Sequence, residues 1–584
     1  MTIAAFLDAR GREDAAPRLM QGLAHRALVA GERRLWMGHD QTHADVYSDS
    51  DLIVVAKSWG GGPACAAIAR AYREHALDLL PHLDGGFSFI LADTSLRRLL
   101  ASSDLTSRTP LAYWTDGRTV AVSSRLLALV GLKGVSRELD EDYLANVVTG
   151  FWSASMEATP LRGVKRLASG MALVAEEGGV RVFQADRLTP RVIDTKRRAE
   201  CADQLWQELG AATERMGIGP QTCLSLSGGL DSAAIASVLA ARQSIRAFSM
   251  VAPSRQRDES AAVGVLERTH KCMVNERIDC SDAVDVSAFD RFSLPDDPVT
   301  TPLAYLPARL RLWGAAAGRG FQAVIDGEGG DELFAVLPGL REALRQWQLG
   351  TAWSTWRSRP GRRAALANAF ALPLVPESVR RIFSARRAND LSMWPSYLCG
   401  QARSHSAIRR AAEQFYAAQV EQDFATSVHE WLSRPATVGA TVTHRQMASA
   451  FGITLVSPFL DRRVVEFVLG IPIEWMLSRE YKSFLRRAAA DRVPTEVRTR
   501  TKDVSLPDDL LRAIVSSEGT RHLLGDGPLR KRLDGLVRFE RLQGIFDAVG
   551  RGYVPRDPLF WQQIEGMVSF AYWYSRASRE YGIT

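Results

Sequence analysis

The sequence predicts an α/β protein of more than one domain, and three observations carry that expectation. Residues 1 to about 190 read as a series of short strands separated by turn residues. Residues 221–224 read as a strand that runs through a small-residue loop into an apolar helix over 233–240. A second strand, glycine-rich bend and helix recur over 323–334. At 584 residues the chain exceeds a single hydrophobic core, and roughly two to four domains are expected.

Composition narrows the class. The chain is 46% hydrophobic and 24% charged, as soluble globular proteins are. No run of eighteen apolar residues occurs, so no membrane partner is expected. The first ten residues lack the basic start and apolar core of a signal peptide, and a cytoplasmic location is expected. The six cysteines (Cys65, Cys201, Cys223, Cys272, Cys280 and Cys399) have neither Cys-x-x-Cys nor zinc spacing, and are expected to be reduced and buried. A net charge of +7 spread over this length gives no reason to expect a nucleic-acid partner.

The strand-rich part comes first. Strands are expected at 83–93, half-buried behind a turn, then at 98–104, 108–114 and 119–124. Apolar residues at helical spacing over 193–215 read as a linker and helix. The next stretch, Ser225-Leu226-Ser227-Gly228-Gly229-Leu230-Asp231-Ser232, is the centre of the chain's chemistry. A strand, a small-residue loop and a helix N-terminus make an anion cradle of backbone N–H groups. Gly228 and Gly229 let the backbone approach closely, and Ser227 and Ser232 add hydroxyl donors. Asp231 would repel a bare phosphate, which calls for a divalent cation between them.

This loop resembles the pyrophosphate-binding SGGxDS loop of N-type ATP pyrophosphatases. It is not a Walker A loop, which ends in Gly-Lys-Ser/Thr. Enzymes of that kind cleave ATP between the α and β phosphates and leave AMP on an acyl or carbonyl oxygen. The resemblance implies that Ser225, Ser227, Gly228, Gly229, Asp231 and Ser232 hold ATP, with Mg2+ on Asp231.

With that loop in view, the N-terminal part resembles the glutaminase-like domain of asparagine synthetases. The matching residues are Gly86-Phe87-Ser88-Phe89, Asp104 through Pro110-Leu111-Ala112-Tyr113, Ser123-Ser124, and 159–170. The resemblance implies an Ntn-hydrolase-like αββα sandwich over 1–190. It implies an adenine nucleotide alpha hydrolase-like synthetase domain over 191–584, with a parallel sheet and a helical insert. Two departures bear on activity. The family's glutaminase nucleophile is a cysteine at residue 2, and Thr2 stands here. The family's glutamine-holding N-G-E-I-Y-N segment is replaced by Val54-Val55-Ala56-Lys57-Ser58-Trp59. Glutamine hydrolysis is therefore not expected, and the domain is read as a structural brace.

The synthetase half follows in order. Residues 245–251 read as the next parallel strand; Met250 is then either near the adenine or a buried core methionine. Residues 257–262 begin a helix. Ala323-Val324-Ile325-Asp326-Gly327-Glu328-Gly329-Gly330-Asp331-Glu332-Leu333-Phe334 resembles the family's L-S-G-E-G-A-D-E-L-F. By that resemblance Asp331 is the second carboxylate for Mg2+, Gly327 abuts the nucleotide, and Glu328 handles the substrate's amine or carboxyl. Residues 340–440 are long for the family, basic and aromatic. They read either as a solvated helical insert with core tryptophans or as a wall for a peptide-sized substrate. Residues 444–448 and 455–461 resemble the family's R-x-x-M-A and R-x-P-F-L-D. Residues 481–486 and 494–502 resemble K-x-x-L-R and P-x-x-V-x-x-R-x-K, which puts Lys482 on the phosphates and Lys502 on the charge that develops as the amine attacks. Beyond Asp503 the chain reads as helical and basic, with no assignable chemistry.

The resemblance thus implies ATP- and Mg2+-dependent activation of a carboxylate as its AMP ester, without a glutamine-derived nucleophile. An amine in the same molecule is the simplest replacement. Lasso peptide cyclases, which join a peptide's α-amine to an Asp or Glu side chain, fit this expectation, and the long insert favours their larger substrate. β-Lactam synthetases, which close a small ring, are the alternative, and an inactive peptide-binding scaffold is a third. The cyclase reading implies a leader-free peptide as substrate and transient contact with a leader peptidase.

Overall fold

A computed structural model describes residues 3–8, 24–30, 33–39, 45–59, 61–106, 109–150, 155–194, 197–252, 258–282, 289–298, 305–335, 340–345, 347–358, 375, 379, 394–417, 423–476, 480–500, 508–525, 527–553 and 558–584. Thr2, Arg257, Lys502 and most of 359–393 lie outside the described residues.

Alternating apolar residues build two antiparallel sheets of six strands each. The strands are β1 Ile3–Asp8, β2 Ala24–Ala30, β3 Arg33–His39, β4 Asp45–Ser48, β5 Leu52–Trp59, β6 Gly86–Asp93, β7 Arg98–Ser103, β8 Ala112–Thr115, β9 Thr119–Ser123, β10 Lys165–Arg166, β11 Met171–Glu176 and β12 Gly179–Gln184. Their orders are β10-β8-β9-β1-β3-β2 and β12-β11-β7-β6-β5-β4. Side chains on a strand alternate faces, so odd and even positions enter different cores. Ile3 and Ala5 of β1, Ile53 and Val55 of β5, and Ile90 and Ala92 of β6 meet between the sheets. Leu52, Val54 and Ala56 face the other way with Phe87, Phe89 and Leu91, onto Ile68, Ala69 and Tyr72 of the helix Cys65–His75. Beyond the first sheet, Ala4, Ala112 and Ala121 share a core with Tyr143, Leu144 and Val147 of the helix Glu141–Thr149. The result is the expected αββα sandwich. β6 corrects the expectation of a half-buried strand: it is buried along its whole length, because both of its faces are covered.

The second half is built on a five-stranded parallel sheet of β13 Thr222–Ser225, β14 Ile245–Val251, β15 Met273–Asp279, β16 Ala323–Ile325 and β17 Thr454–Val456. Its order, β15-β14-β13-β16-β17, changes direction between β13 and β16. In doubly wound sheets the crevice at the carboxyl ends of such a strand pair is the place where ligands sit. The helix Leu230–Ala240 packs its Ala233, Ala234, Ile235 and Val238 into a core shared with Leu205 and Leu209 of the helix Arg198–Arg215.

The described α-helices of the insert are Leu340–Arg345, Leu349–Ser358, Ser406–Ala417 and Phe424–Ser433. Trp347 and Trp353 are exposed there, which corrects the expectation of core tryptophans for these two, while Trp356 is half-buried against Leu340, Ala343 and Ala352. All six cysteines are free; four are buried, and Cys272 and Cys399 are half-buried. The C-terminal helix Pro558–Tyr581 ties the halves together. Its Ile564, Met567 and Val568 join the core of the helix Glu141–Thr149, and Trp573 Nε1 donates to the Pro295 carbonyl at 2.8 Å. Beside it, buried Arg166 of β10 pairs with buried Asp297 at 2.5 Å. Among the described residues no helix is long and apolar enough to cross a membrane.

Candidate active site

The site grows from the ends of β13 and β16. β13 hands the chain to Leu226, whose N–H donates to the Phe248 carbonyl of β14 at 2.9 Å. The loop then turns at Gly228, with φ +65°, a backbone region that residues with a Cβ rarely adopt. The Ser227 N–H donates to Ser232 Oγ at 3.2 Å, the two serine hydroxyls lie 3.1 Å apart, and Ser232 Oγ donates to the Gly229 carbonyl at 3.1 Å. These bonds shape the cradle from within. No side chain caps the helix that starts at Leu230, so its first N–H groups remain available to an anion.

β16 ends beside that helix start. A Cβ on Gly327 would lie 2.9 Å from Asp231 Cβ, and one on Gly330 would lie 2.6 Å from Asp231 Oδ1. The glycines therefore let the second loop close around Asp231. The Lys482 ammonium, with its side chain almost wholly buried, sits between two carboxylates: 2.5 Å from Asp231 Oδ2 and 2.7 Å from Asp331 Oδ1. Lys482 has φ +54°, a strained conformation for a lysine that sets it at the start of the helix Ser483–Ala488. The neighbouring Tyr481 hydroxyl donates to Asp331. Burial, with the Asp331 charge beside it, raises the Tyr481 phenol well above its ordinary range, so it stays a donor. Asp231 Oδ1 is buried and has no hydrogen-bond partner.

A second acidic group lies deeper. Asp326 accepts from Ser457 Oγ at 2.7 Å and from the Glu328 N–H at 3.1 Å. Burial and then the Glu328 charge raise its carboxyl above the usual range. Glu328 itself accepts from Thr441 Oγ1 at 2.6 Å. Burial pushes Glu332 up to about 7.

The structure thus brings together Ser225, Ser227, Gly228, Gly229, Asp231, Ser232, Gly327, Asp331 and Lys482, with Glu328 behind them on the same loop. Met250 is at the end of β14, half-buried against the core of Cys280 and Ala308. Lys502 lies outside the described residues. Sequence reasoning gave no role to Thr441, Ser457, Asp326 or Tyr481. Tyr481 adjoins a quoted lysine, and Asp326 opens a quoted motif; Thr441 has no local signal, because its partner lies 113 residues away.

Fold and site together define a two-part α/β ligase: an Ntn-type amidotransferase sandwich joined to a parallel-sheet, ATP-dependent synthetase domain. The family model for asparagine synthase matches residues 206–575, and that for a glutamine amidotransferase domain matches 51–185. The chain belongs to the asparagine synthase family. It is 22% identical over 463 residues to asparagine synthetase [glutamine-hydrolyzing] 3 of Bacillus subtilis, covering 74% of this chain and 69% of that protein. It is 27% identical over 473 residues to a putative asparagine synthetase [glutamine-hydrolyzing] of Mycobacterium tuberculosis, covering 75% and 69%. Among solved structures, glutamine phosphoribosylpyrophosphate amidotransferase from B. subtilis aligns at a TM-score of 0.21 and 9% identity, over 48% of this chain and 81% of that one.

Proposed function

We propose that this chain is a macrolactam-forming cyclase. It adenylates an Asp or Glu side-chain carboxylate of a leader-free peptide and closes an isopeptide bond with the peptide's own α-amine, releasing AMP and pyrophosphate. The observation that carries the ATP-dependent half is Lys482 bridging Asp231 and Asp331 across the glycine cradle. Ser227, Ser232 and the helix N-terminus would orient the phosphates, and Lys482 would offset the charge of the departing pyrophosphate. Mg2+ would be held by Asp231, whose Oδ1 is buried without a partner, together with Asp331, and would supply charge neutralisation. Glu328, held by Thr441, would take a proton from the attacking amine. Lys502 would stabilise the charge formed on attack.

The relatives' names suggest glutamine as the nitrogen source. Against that stands Val54-Val55-Ala56-Lys57-Ser58-Trp59 of β5, in place of the family's glutamine-holding segment. With that source gone, an amine within the substrate replaces it, and the long insert favours a peptide over a small ring. A leader peptidase that frees the α-amine would be the partner. The test is incubation of the full chain with ATP, Mg2+ and a linear peptide bearing a free α-amine and an internal Asp or Glu. The expected result is a product lighter by one water, with AMP and pyrophosphate; hydrolysis of ATP without peptide mass loss would refute ring closure.

A further inference from the structure

The N-terminal sandwich and the synthetase half meet across a cavity of about 200 Å3. Lys57, Thr109, Ser124 and Arg125 line it from the sandwich side, and Arg445 and Gln446 line it from the helix Pro435–Ser449. Three cations face this space, and no carboxylate is among its described lining residues. Arg125 is occupied, donating to Asp296 Oδ1 at 3.1 Å and to the Leu294 carbonyl at 3.2 Å. Gln446 is also held by Asp296, at 2.5 Å. Arg445 differs. Its Nε and Nη2 are shut off from solvent and have no hydrogen-bond partner, and the buried Thr109 hydroxyl lacks one as well. The Trp59 ring, at the end of β5, lies 5.5 Å from the guanidinium and steadies it from the sandwich side. Burial opposes the Arg445 charge, while Glu328, Asp326 and Asp104 favour it.

Buried donors without acceptors are costly, and those in native folds need an explanation. A guanidinium edge with two free N–H groups matches the two oxygens of a carboxylate. We propose that this cavity is a carboxylate-binding site, with Arg445 Nε and Nη2 donating to the two oxygens and the Thr109 hydroxyl completing the contact. Its volume equals about seven water-sized shares of about 30 Å3 each, so it admits a group of amino-acid size. The carboxylate comes either from a free small acid or from the terminus of a longer substrate. The binding claim stands apart from the cyclase reading; only the second source rests on it.

Two arms test the site with the full chain. In the first, calorimetry measures binding of glutarate and of its neutral dimethyl ester, without ATP. Glutarate is expected to bind saturably and the ester not. Arg445→Gln and Thr109→Val, each shown by thermal melting to be folded, are expected to weaken glutarate about tenfold or more, and Asp231→Ala to leave it unchanged. In the second arm, a linear peptide with a C-terminal carboxylate is compared with its C-terminal amide. A KM advantage of the acid that Arg445→Gln removes would identify the substrate's own terminus as the source. Glutarate binding without that advantage would identify a separate small acid. The site is overturned if both arms are indifferent to Arg445, or if Asp231→Ala, not Arg445→Gln, abolishes glutarate binding. Failed ring closure with glutarate binding intact would count against the cyclase reading alone.

Discussion

The two halves of this molecule keep different things from one family plan. The sandwich keeps its architecture: β1, β5 and β6 divide their side chains between an inter-sheet core and a helix-covered core. On the proposed reading its chemistry-bearing positions have changed, with Val54-Val55-Ala56-Lys57-Ser58-Trp59 of β5 in place of the family's glutamine-holding segment. On the same reading the parallel-sheet half keeps both. Its loops after β13 and β16 are packed so closely that the glycines at 327 and 330 leave no room for a Cβ beside Asp231. The difference teaches that a fold is held by patterned apolar residues, which tolerate exchange, whereas a site is held by a few atoms, which do not. The proposed labour follows: one half braces, the other reacts.

The comparison breaks first at Asp231. Asp231→Ala is expected to lower pyrophosphate release by about 100- to 1,000-fold, since it removes one of the two carboxylates on Lys482. An unchanged rate would make the synthetase half a scaffold too. Glu328→Gln sharpens the assignment within that half. ATP–pyrophosphate exchange should persist while ring closure falls about 100-fold, because only the amine's proton acceptor is lost. Equal loss of both would move Glu328 to the adenylation step.

The brace is tested by stability. Asp297→Ala leaves the buried Arg166 without its carboxylate, and equilibrium unfolding should show a loss of about 3–5 kcal/mol. A change within experimental error would remove the pair from the interface account. A pH-dependent effect belongs to Glu565 on the C-terminal helix. Burial raises its carboxyl from 4.5 to about 8, so the fold holds a proton that the unfolded chain releases. Stability from this group is full below pH 4.5 and falls as pH rises towards 8. Glu565→Gln should flatten that fall and raise the melting temperature at pH 8; a parallel pH profile would contradict the burial argument. The smallest expected effect is that of glutamine, which should yield no glutamate and leave product formation unchanged.

Local patterns made much of this legible in the sequence. The cradle was readable because Ser227, Gly228, Gly229, Asp231 and Ser232 act within one turn of chain, and β14 was readable from its apolar run. The second acidic loop was readable for the same reason. What escaped depends on distant contacts. Thr441 reaches Glu328 and Ser457 reaches Asp326 only after β17 and the helix Pro435–Ser449 have docked. The positive φ of Lys482 is imposed by the site around it, since a lysine has no intrinsic preference for it. The C-terminal helix carries a core and a domain contact, roles that composition alone does not distinguish from a basic surface.

The central claim, that the parallel-sheet half forms an acyl-adenylate, is tested most directly with a linear peptide whose Asp or Glu side-chain carboxylate carries 18O. Transfer of one 18O atom to AMP is the predicted result. ADP with labelled phosphate, or AMP without label, would contradict it.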